Sequence, residues 1–364
     1  MRAEVAPAFA EFGLSGEPGT DAFWATARGP ASVPADDGGW DTLFLWRGSA
    51  ASIDFESWSK PVPLRRFGDT DCWYARVRMP ARLRVTYQFR AGDDAYADPF
   101  NPVGAGGDRS IAATPDAPDQ PHWPVVGADD VLPVPRTRIR WASERLGGRR
   151  TVRVHAAGGG GPVVLLLDGD DWLYLHPAMT AFDAAVADGT MPPATLVFLP
   201  AKDREAEFVC RPELWEAVRH ELLPLVAESG VPADLDRLVV AGQSLGGLSA
   251  MYAALEFPDL VSRIAVQSSS FWWTPEAMGG TDPLGGPVGG AVAARLRERN
   301  PDLSGLRVAF DVGEHEARML PHCELVETLT EQAGATVRVS RSASDHDRAG
   351  WRQALLRDVA WALA

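Results

Sequence analysis

Cysteine is scarce: three residues in 364, at positions 72, 210 and 323, are odd in number and too widely spaced for a disulfide framework. Long apolar runs are missing too, and nothing approaches membrane-spanning length. The opening Met1-Arg2-Ala3-Glu4-Val5-Ala6-Pro7 has an acid and a proline where a secretion signal needs an apolar stretch. Together these absences point to a cytoplasmic protein. Positive charge is also short. With 35 Lys and Arg against 49 Asp and Glu, the net charge is −14, which argues against nucleic acid or an anionic membrane as partner. What remains, 46% hydrophobic and 23% charged, is an ordinary globular composition.

Length allows two domains. Residues up to about 124 are rich in Pro, Gly, Trp and Arg. Trp40–Trp46, Trp73–Met79 and Leu83–Arg90 read as strands between turn signals, the last two with period-2 alternation, which predicts an antiparallel β-sandwich. Arginines 76, 78, 82, 84 and 90 mostly alternate with apolar residues and read as a solvated outer face. Residues 113–124 hold four prolines, which can continue neither sheet nor helix, so the predicted domains are 1–124 and 125–364.

Beyond that boundary the pattern changes. Arg138–Trp141 and Arg149–His155 read as an edge hairpin through Gly147-Gly148. Val163–Leu167, Ala194–Leu199, Leu238–Ala241, Arg263–Val266, Leu306–Phe310 and Thr336–Val339 read as strands buried on both faces. Helical stretches such as Pro212–Ala227 and Leu245–Leu255 lie between them, so a doubly wound parallel sheet is expected.

One of those strands runs straight into Gly242-Gln243-Ser244-Leu245-Gly246, and a helix-forming run follows. A G-x-S-x-G pentad between strand and helix is a nucleophile elbow, with Gly242 and Gly246 expected where a Cβ would collide. Ser244 is therefore the candidate nucleophile, and it needs a base and a group to orient that base. His346, in the polar loop after the last strand, is the candidate base; His322 falls at a helix start. Glu316 is the candidate acid, just past Arg307–Val312, with Glu314 the competitor and Asp311 inside the strand. The oxyanion donors are expected to be the backbone N–H groups of Leu245 and Asp170. The acidic run Asp168–Asp171 has no His or Cys nearby, so it reads as a turn and not a metal site; no cofactor is expected.

With these residues in hand, the chain resembles the enterochelin esterase family, ferric-siderophore trilactone esterases with an esterase D-like α/β-hydrolase core. The likeness runs nearly the full length. It rests on Leu165–Gly169 with Trp172, Arg204–Cys210 with Trp215, Glu221–Val226, Val240–Ala250, Gln267–Trp273, and His346-Asp347 with Gly350-Trp351-Arg352. Phe23-Trp24, Phe44–Arg47 and Asp98–Pro102 carry it into the first domain. The resemblance implies a serine hydrolase that opens a macrocyclic catechol-seryl trilactone, with the β-domain shaping substrate access. Asp311–Arg318 matches the family's Gly-x-x-Glu-Pro pattern except that Ala317 replaces the proline, Arg211 stands where the family has Asn, and 279–290 reads as a long, mobile loop.

A ferric tris-catecholate is polyanionic with flat aryl faces. Arg204 is the preferred cationic contact among Arg136, Arg138, Arg204, Arg211 and Arg318, and Trp172, Trp272 and Trp273 are candidate walls. The expected partner is a small-molecule, siderophore-like ester. An acyltransferase or cyclase with the same triad, and a ligand-binding module over a decayed site, remain as alternatives.

Overall fold

Alternating and continuous apolar patterns become two different kinds of sheet. A computed structural model describes residues 9–58, 60–127, 130–278 and 280–364; Met1–Pro7 and Gly279, read above, lie outside the described residues. The chain divides into two compact units: Met1–Asp119 with Val125–Val131 and Ala343–Gly350, and Gln120–Pro124 with Leu132–Ser342 and Trp351–Ala364.

The first unit holds β1 (Ala31–Pro34), β2 (Trp40–Arg47), β3 (Ser52–Phe55), β4 (Val62–Pro63), β5 (Arg65–Arg66), β6 (Cys72–Met79), β7 (Arg84–Ala91), β8 (Asp94–Tyr96) and β9 (Ser110–Ala113), with the short helix α1 (Asp21–Thr26) before them. They form two antiparallel sheets, ordered β1-β2-β6-β5 and β4-β3-β7-β8, with β9 also on β7. Alternate residues of the two sheets (Phe44, Val77, Val85, Tyr87, Phe89) pack a common core. The arginine face is ion-paired: Arg76 and Arg78 both meet Asp41, and Arg90 meets Asp54. Exposed pairs of this kind contribute at most about 1 kcal/mol each.

The second unit is built on one eight-stranded sheet. Its strands are β10 (Thr137–Ala142), β11 (Arg149–Ala157), β12 (Gly161–Leu167), β13 (Ala194–Leu199), β14 (Ala233–Gln243), β15 (Arg263–Gln267), β16 (Arg307–Gly313) and β17 (Thr336–Ser342), in the order β10-β11-β13-β12-β14-β15-β16-β17. The hairpin at one edge is antiparallel, as is β11 to β13; every later pair is parallel. Helices α2 (Gly169–Tyr174), α3 (Ala178–Ala187), α4 (Arg204–Glu207), α5 (Pro212–Ala217), α6 (Leu223–Glu228), α7 (Leu245–Glu256), α8 (Gly290–Arg299), α9 (Leu320–Gln332) and α10 (Arg348–Leu363) connect or flank the strands. β12 is buried from Val163 to Leu167 and β13 throughout, because helices cover both faces of a parallel sheet. This is an α/β-hydrolase sheet preceded by an antiparallel β-sandwich.

One predicted helix is interrupted. Residues 212–228 form α5, a π turn over Val218–Leu222, and α6. Pro224 has no N–H to donate to His220, and Leu223 N–H reaches back five residues to the Val218 carbonyl instead.

Candidate active site

The parallel strands deliver their ends to one edge of the sheet, and three of those ends carry a left-handed, non-glycine residue. Asp168 follows β12 at φ 53°, Ser244 follows β14 at φ 56°, and Ser268 follows β15 at φ 44°. Such conformations cost about 1–3 kcal/mol each and persist where surrounding structure imposes them. At Ser244 the imposition is visible. Its N–H donates to the Gln267 carbonyl (3.0 Å) and its carbonyl accepts from Ser270 N–H (2.9 Å). The hydroxyl projects, half-buried, 3.1 Å from Ser270 Oγ.

The glycines act as expected in one case and not in the other. A Cβ on Gly242 would lie 2.4 Å from the Gly246 backbone. On Gly246 itself it would make an ordinary contact, 3.4 Å from Leu167 Cβ; the crowded second glycine is Gly247, where a Cβ would sit 2.2 Å from Ser269 Oγ. The helix packs on the turn through Gly247, one residue later than the pentad suggests.

Leu245 is the first residue of α7 and Asp170 the second of α2, so both backbone N–H groups fall in a first turn, where no intrahelical acceptor exists. The turn before α2 is held by Arg204. Its Nε donates to Asp168 Oδ1 (2.8 Å), and Nη2 donates to Asp168 Oδ2 (3.0 Å) and to the Gln243 carbonyl (3.2 Å). The fork ties the end of β12 to the residue before Ser244. Arg204 thus has a partner within the protein, and Asp168 is a turn residue in an ion pair.

Glu316 is buried, whereas Glu314 is exposed. Glu316 Oε1 accepts from Gly313 N–H (2.9 Å) and from the Ser268 hydroxyl, and Ser268 Oγ in turn accepts from Trp351 Nε1 (2.8 Å). His322 is turned to another task. Gly289 N–H donates to its Nδ1 (3.2 Å), Nε2 faces the Leu284 carbonyl (3.3 Å), and burial lowers its pKa. With Arg318 paired to Asp282, this ring pins the 280–289 loop against α9. His346 lies in the turn between β17 and α10, within the 343–350 segment that belongs to the first unit.

The tryptophans separate. Trp172 is wholly buried among Trp123, Phe198 and Leu355, and its Nε1 donates to Gln243 Oε1 (3.0 Å). It presents no wall to a ligand, a correction that follows from its place one turn into α2, facing inward. Trp273 is also buried, its backbone N–H donating to the Ser270 carbonyl and its backbone carbonyl accepting from Ala291 N–H. Trp272 is half-buried, packed at the margin of the main core.

Beneath Ser244 runs a buried polar chain that the G-x-S-x-G motif does not announce. Trp172 donates to Gln243, Gln243 Nε2 to Gln267 Oε1 (2.8 Å), and Gln267 Nε2 to the Trp351 carbonyl (2.9 Å); the Trp351 indole donates to Ser268, which donates to Glu316. The available signal was a glutamine at the last position of two adjacent apolar strands, a costly group to bury without partners.

Comparison with known proteins agrees with this architecture. The family described as "Putative esterase" matches residues 143–362. The chain is 28% identical to the iron(III) enterobactin esterase of Escherichia coli K12, over 94% of this chain and 96% of that one. It is 32% identical to the iron(III) enterobactin esterase of Dickeya dadantii, over 74% and 65%. The enterobactin esterase of Shigella flexneri, crystallised in the presence of enterobactin, superposes with a TM-score of 0.78 at 27% identity, over 94% of this chain and 98% of that one. Ferric enterobactin esterase of Salmonella typhimurium gives 0.78 at 28% identity, over 93% and 98%.

Proposed function

The chain belongs to the esterase family and is a carboxylic ester hydrolase, and from that premise we propose a serine esterase that opens a siderophore trilactone or a related depsipeptide ester through an acyl-enzyme. Ser244 Oγ attacks the ester carbonyl while the His346 imidazole takes its proton. Glu316 orients the imidazole and balances its positive charge. The N–H groups of Leu245 and Asp170 hold the oxyanion. Collapse of the tetrahedral intermediate breaks the C–O bond, and the imidazolium returns the proton to the leaving alkoxide. Water, deprotonated by the same imidazole, then releases the acid and restores Ser244. The observation that carries this reading is the backbone of Ser244, held at φ 56° between β14 and α7. That turn lifts a hydroxyl off the end of a parallel sheet and aims the first turn of a helix at the same point.

The substrate class is supported by the full-length likeness to relatives named iron(III) enterobactin esterase. The half-buried Trp272 is the aryl wall retained from the sequence reading. The site of action proposed is the cytoplasm, where Cys72, Cys210 and Cys323, all free, stay reduced.

The test is hydrolysis of ferric and iron-free catechol trilactones beside p-nitrophenyl butyrate, followed by mass spectrometry. Ring-opened and linear products, lost in Ser244→Ala together with fluorophosphonate labelling, are the expected result. Turnover of the simple ester alone removes the siderophore assignment, and unchanged turnover in Ser244→Ala removes the mechanism.

A further inference from the structure

The residues on both sides of His346 are fastened to the β-sandwich, within the first unit. β3 pairs with β7 only as far as Phe55 opposite Tyr87. At the next position Glu56 N–H donates to the Thr86 carbonyl (3.0 Å), but Thr86 N–H has no strand partner to return to. It donates instead to Asp347 Oδ2 (2.8 Å), and the Thr86 hydroxyl donates to Asp347 Oδ1 (2.9 Å). A carboxylate from a segment 261 residues away therefore occupies the ladder position that β3 leaves open. Two further ties flank it: Ser57 Oγ donates to Asp345 Oδ2 (3.1 Å), and Arg348 Nη1 to Glu56 Oε1 (3.0 Å). Thr86 and Asp347 are both buried.

Asp347 also accepts Ala349 N–H (2.7 Å), as a residue capping α10 would. Capping accounts for that one bond. It does not require a two-point bond to the middle of a sheet strand, nor ties at positions 345 and 348.

We infer that Asp347 and Thr86 are positioning residues for the reaction, with the β-sandwich gripping the turn through Asp347 so that the imidazole of His346 is held in register. This rests on the reading of His346 as the base. It gives the residues of the first unit a part in the chemistry itself, for any ester. A base displaced by about an ångström loses ~10²-fold in rate, so the effect belongs in kcat.

The experiment compares Asp347→Asn, Thr86→Val and Thr86→Ser in the full chain, with p-nitrophenyl butyrate as a substrate too small to need the domain for access. Asp347→Asn and Thr86→Val are expected to lower kcat by about 10- to 100-fold with KM within about twofold, and Thr86→Ser, which keeps the hydroxyl, to restore wild-type turnover. A role limited to capping or folding lowers the melting temperature and leaves kcat of the folded protein unchanged; that outcome, or a loss confined to KM, overturns the inference. If Asp347→Asn does not fold, the threonine pair decides alone. His346→Ala separates the two layers. Wild-type turnover there removes the base assignment; an inactive His346→Ala beside fully active Thr86→Val and Asp347→Asn removes only the grip.

Discussion

Ser268 donates its hydroxyl proton to Glu316 while accepting the indole N–H of Trp351, so it fixes the carboxylate and is itself fixed. Under the proposed triad Ser268 acts on the acid through geometry alone, and the partners that orient metal ligands in the same way are worth about 10- to 100-fold. Ser268→Ala is therefore expected to lower kcat on p-nitrophenyl butyrate by about tenfold. Glu316→Gln should lower it by roughly 10²- to 10⁴-fold, and Glu314→Gln should stay within about twofold because Glu314 is exposed. Steady-state rates on the three variants check this. A larger loss in Glu314→Gln than in Glu316→Gln reverses the assignment of the acid.

Arg204 permits a sharper separation. If its guanidinium serves the Asp168 turn, Arg204→Ala lowers kcat for a neutral aryl ester and an anionic ferric complex by the same factor, about tenfold or more, because the Asp170 N–H loses its fixed direction. If it serves substrate charge, KM rises for the ferric complex alone. The two-point bond to Asp168 and the third bond to the Gln243 carbonyl favour the first outcome. Measuring kcat and KM on both substrates distinguishes them.

The difference between Arg204's expected and observed partners shows where residue patterns stop being informative. Val163–Leu167 and Ala194–Leu199 were legible as buried strands because a fully covered strand needs apolar residues at every position. The elbow was legible because its turn requires small residues at fixed offsets. Arg204 and Trp172 were not: an arginine beside an aspartate-rich loop reads the same whether it faces a ligand or Asp168, and a tryptophan reads the same whether it lines a cleft or packs on Trp123. Nor does anything local in Ser344-Asp345-His346-Asp347 announce Thr86, since that bond joins positions 261 residues apart.

The elbow glycines give a stability prediction with a built-in control. Gly242→Ala puts a methyl 2.4 Å from backbone atoms of Gly246 that cannot move without opening the turn. It is expected to cost more than about 3 kcal/mol, or to prevent folding. Gly246→Ala meets only ordinary contacts and should cost less than about 1 kcal/mol. Gly247→Ala, crowding a buried serine side chain, falls between them. Urea midpoints rank the three, and a Gly246→Ala less stable than Gly242→Ala would refute the packing described for this turn.

Asp98 makes stability depend on pH in a direction opposite to that of a salt-bridged carboxylate. Burial pushes its pKa up to about 6, although the Tyr87 hydroxyl (2.6 Å) and Phe100 N–H (2.8 Å) both donate to it. A folded-state value above the unfolded value of about 3.9 means that the native protein binds the proton more tightly. The associated stability is then complete below about pH 4 and lost as pH rises to about 6, with an upper limit near 3 kcal/mol. Asp358, also raised to about 6, and Asp347, raised to about 7, slope the same way, while the lowered pKa of His322 opposes them. The informative quantity is therefore the wild type minus Asp98→Asn, compared at pH 4.5 and 6.5 by urea unfolding. Asparagine keeps the shape and has no charge to bury, so the variant should gain relative to wild type across that interval. A difference that is flat, or that grows as pH rises from 4.5 to 6.5, would mean that Asp98 is not held as the acid and that its hydrogen-bond donors outweigh its burial.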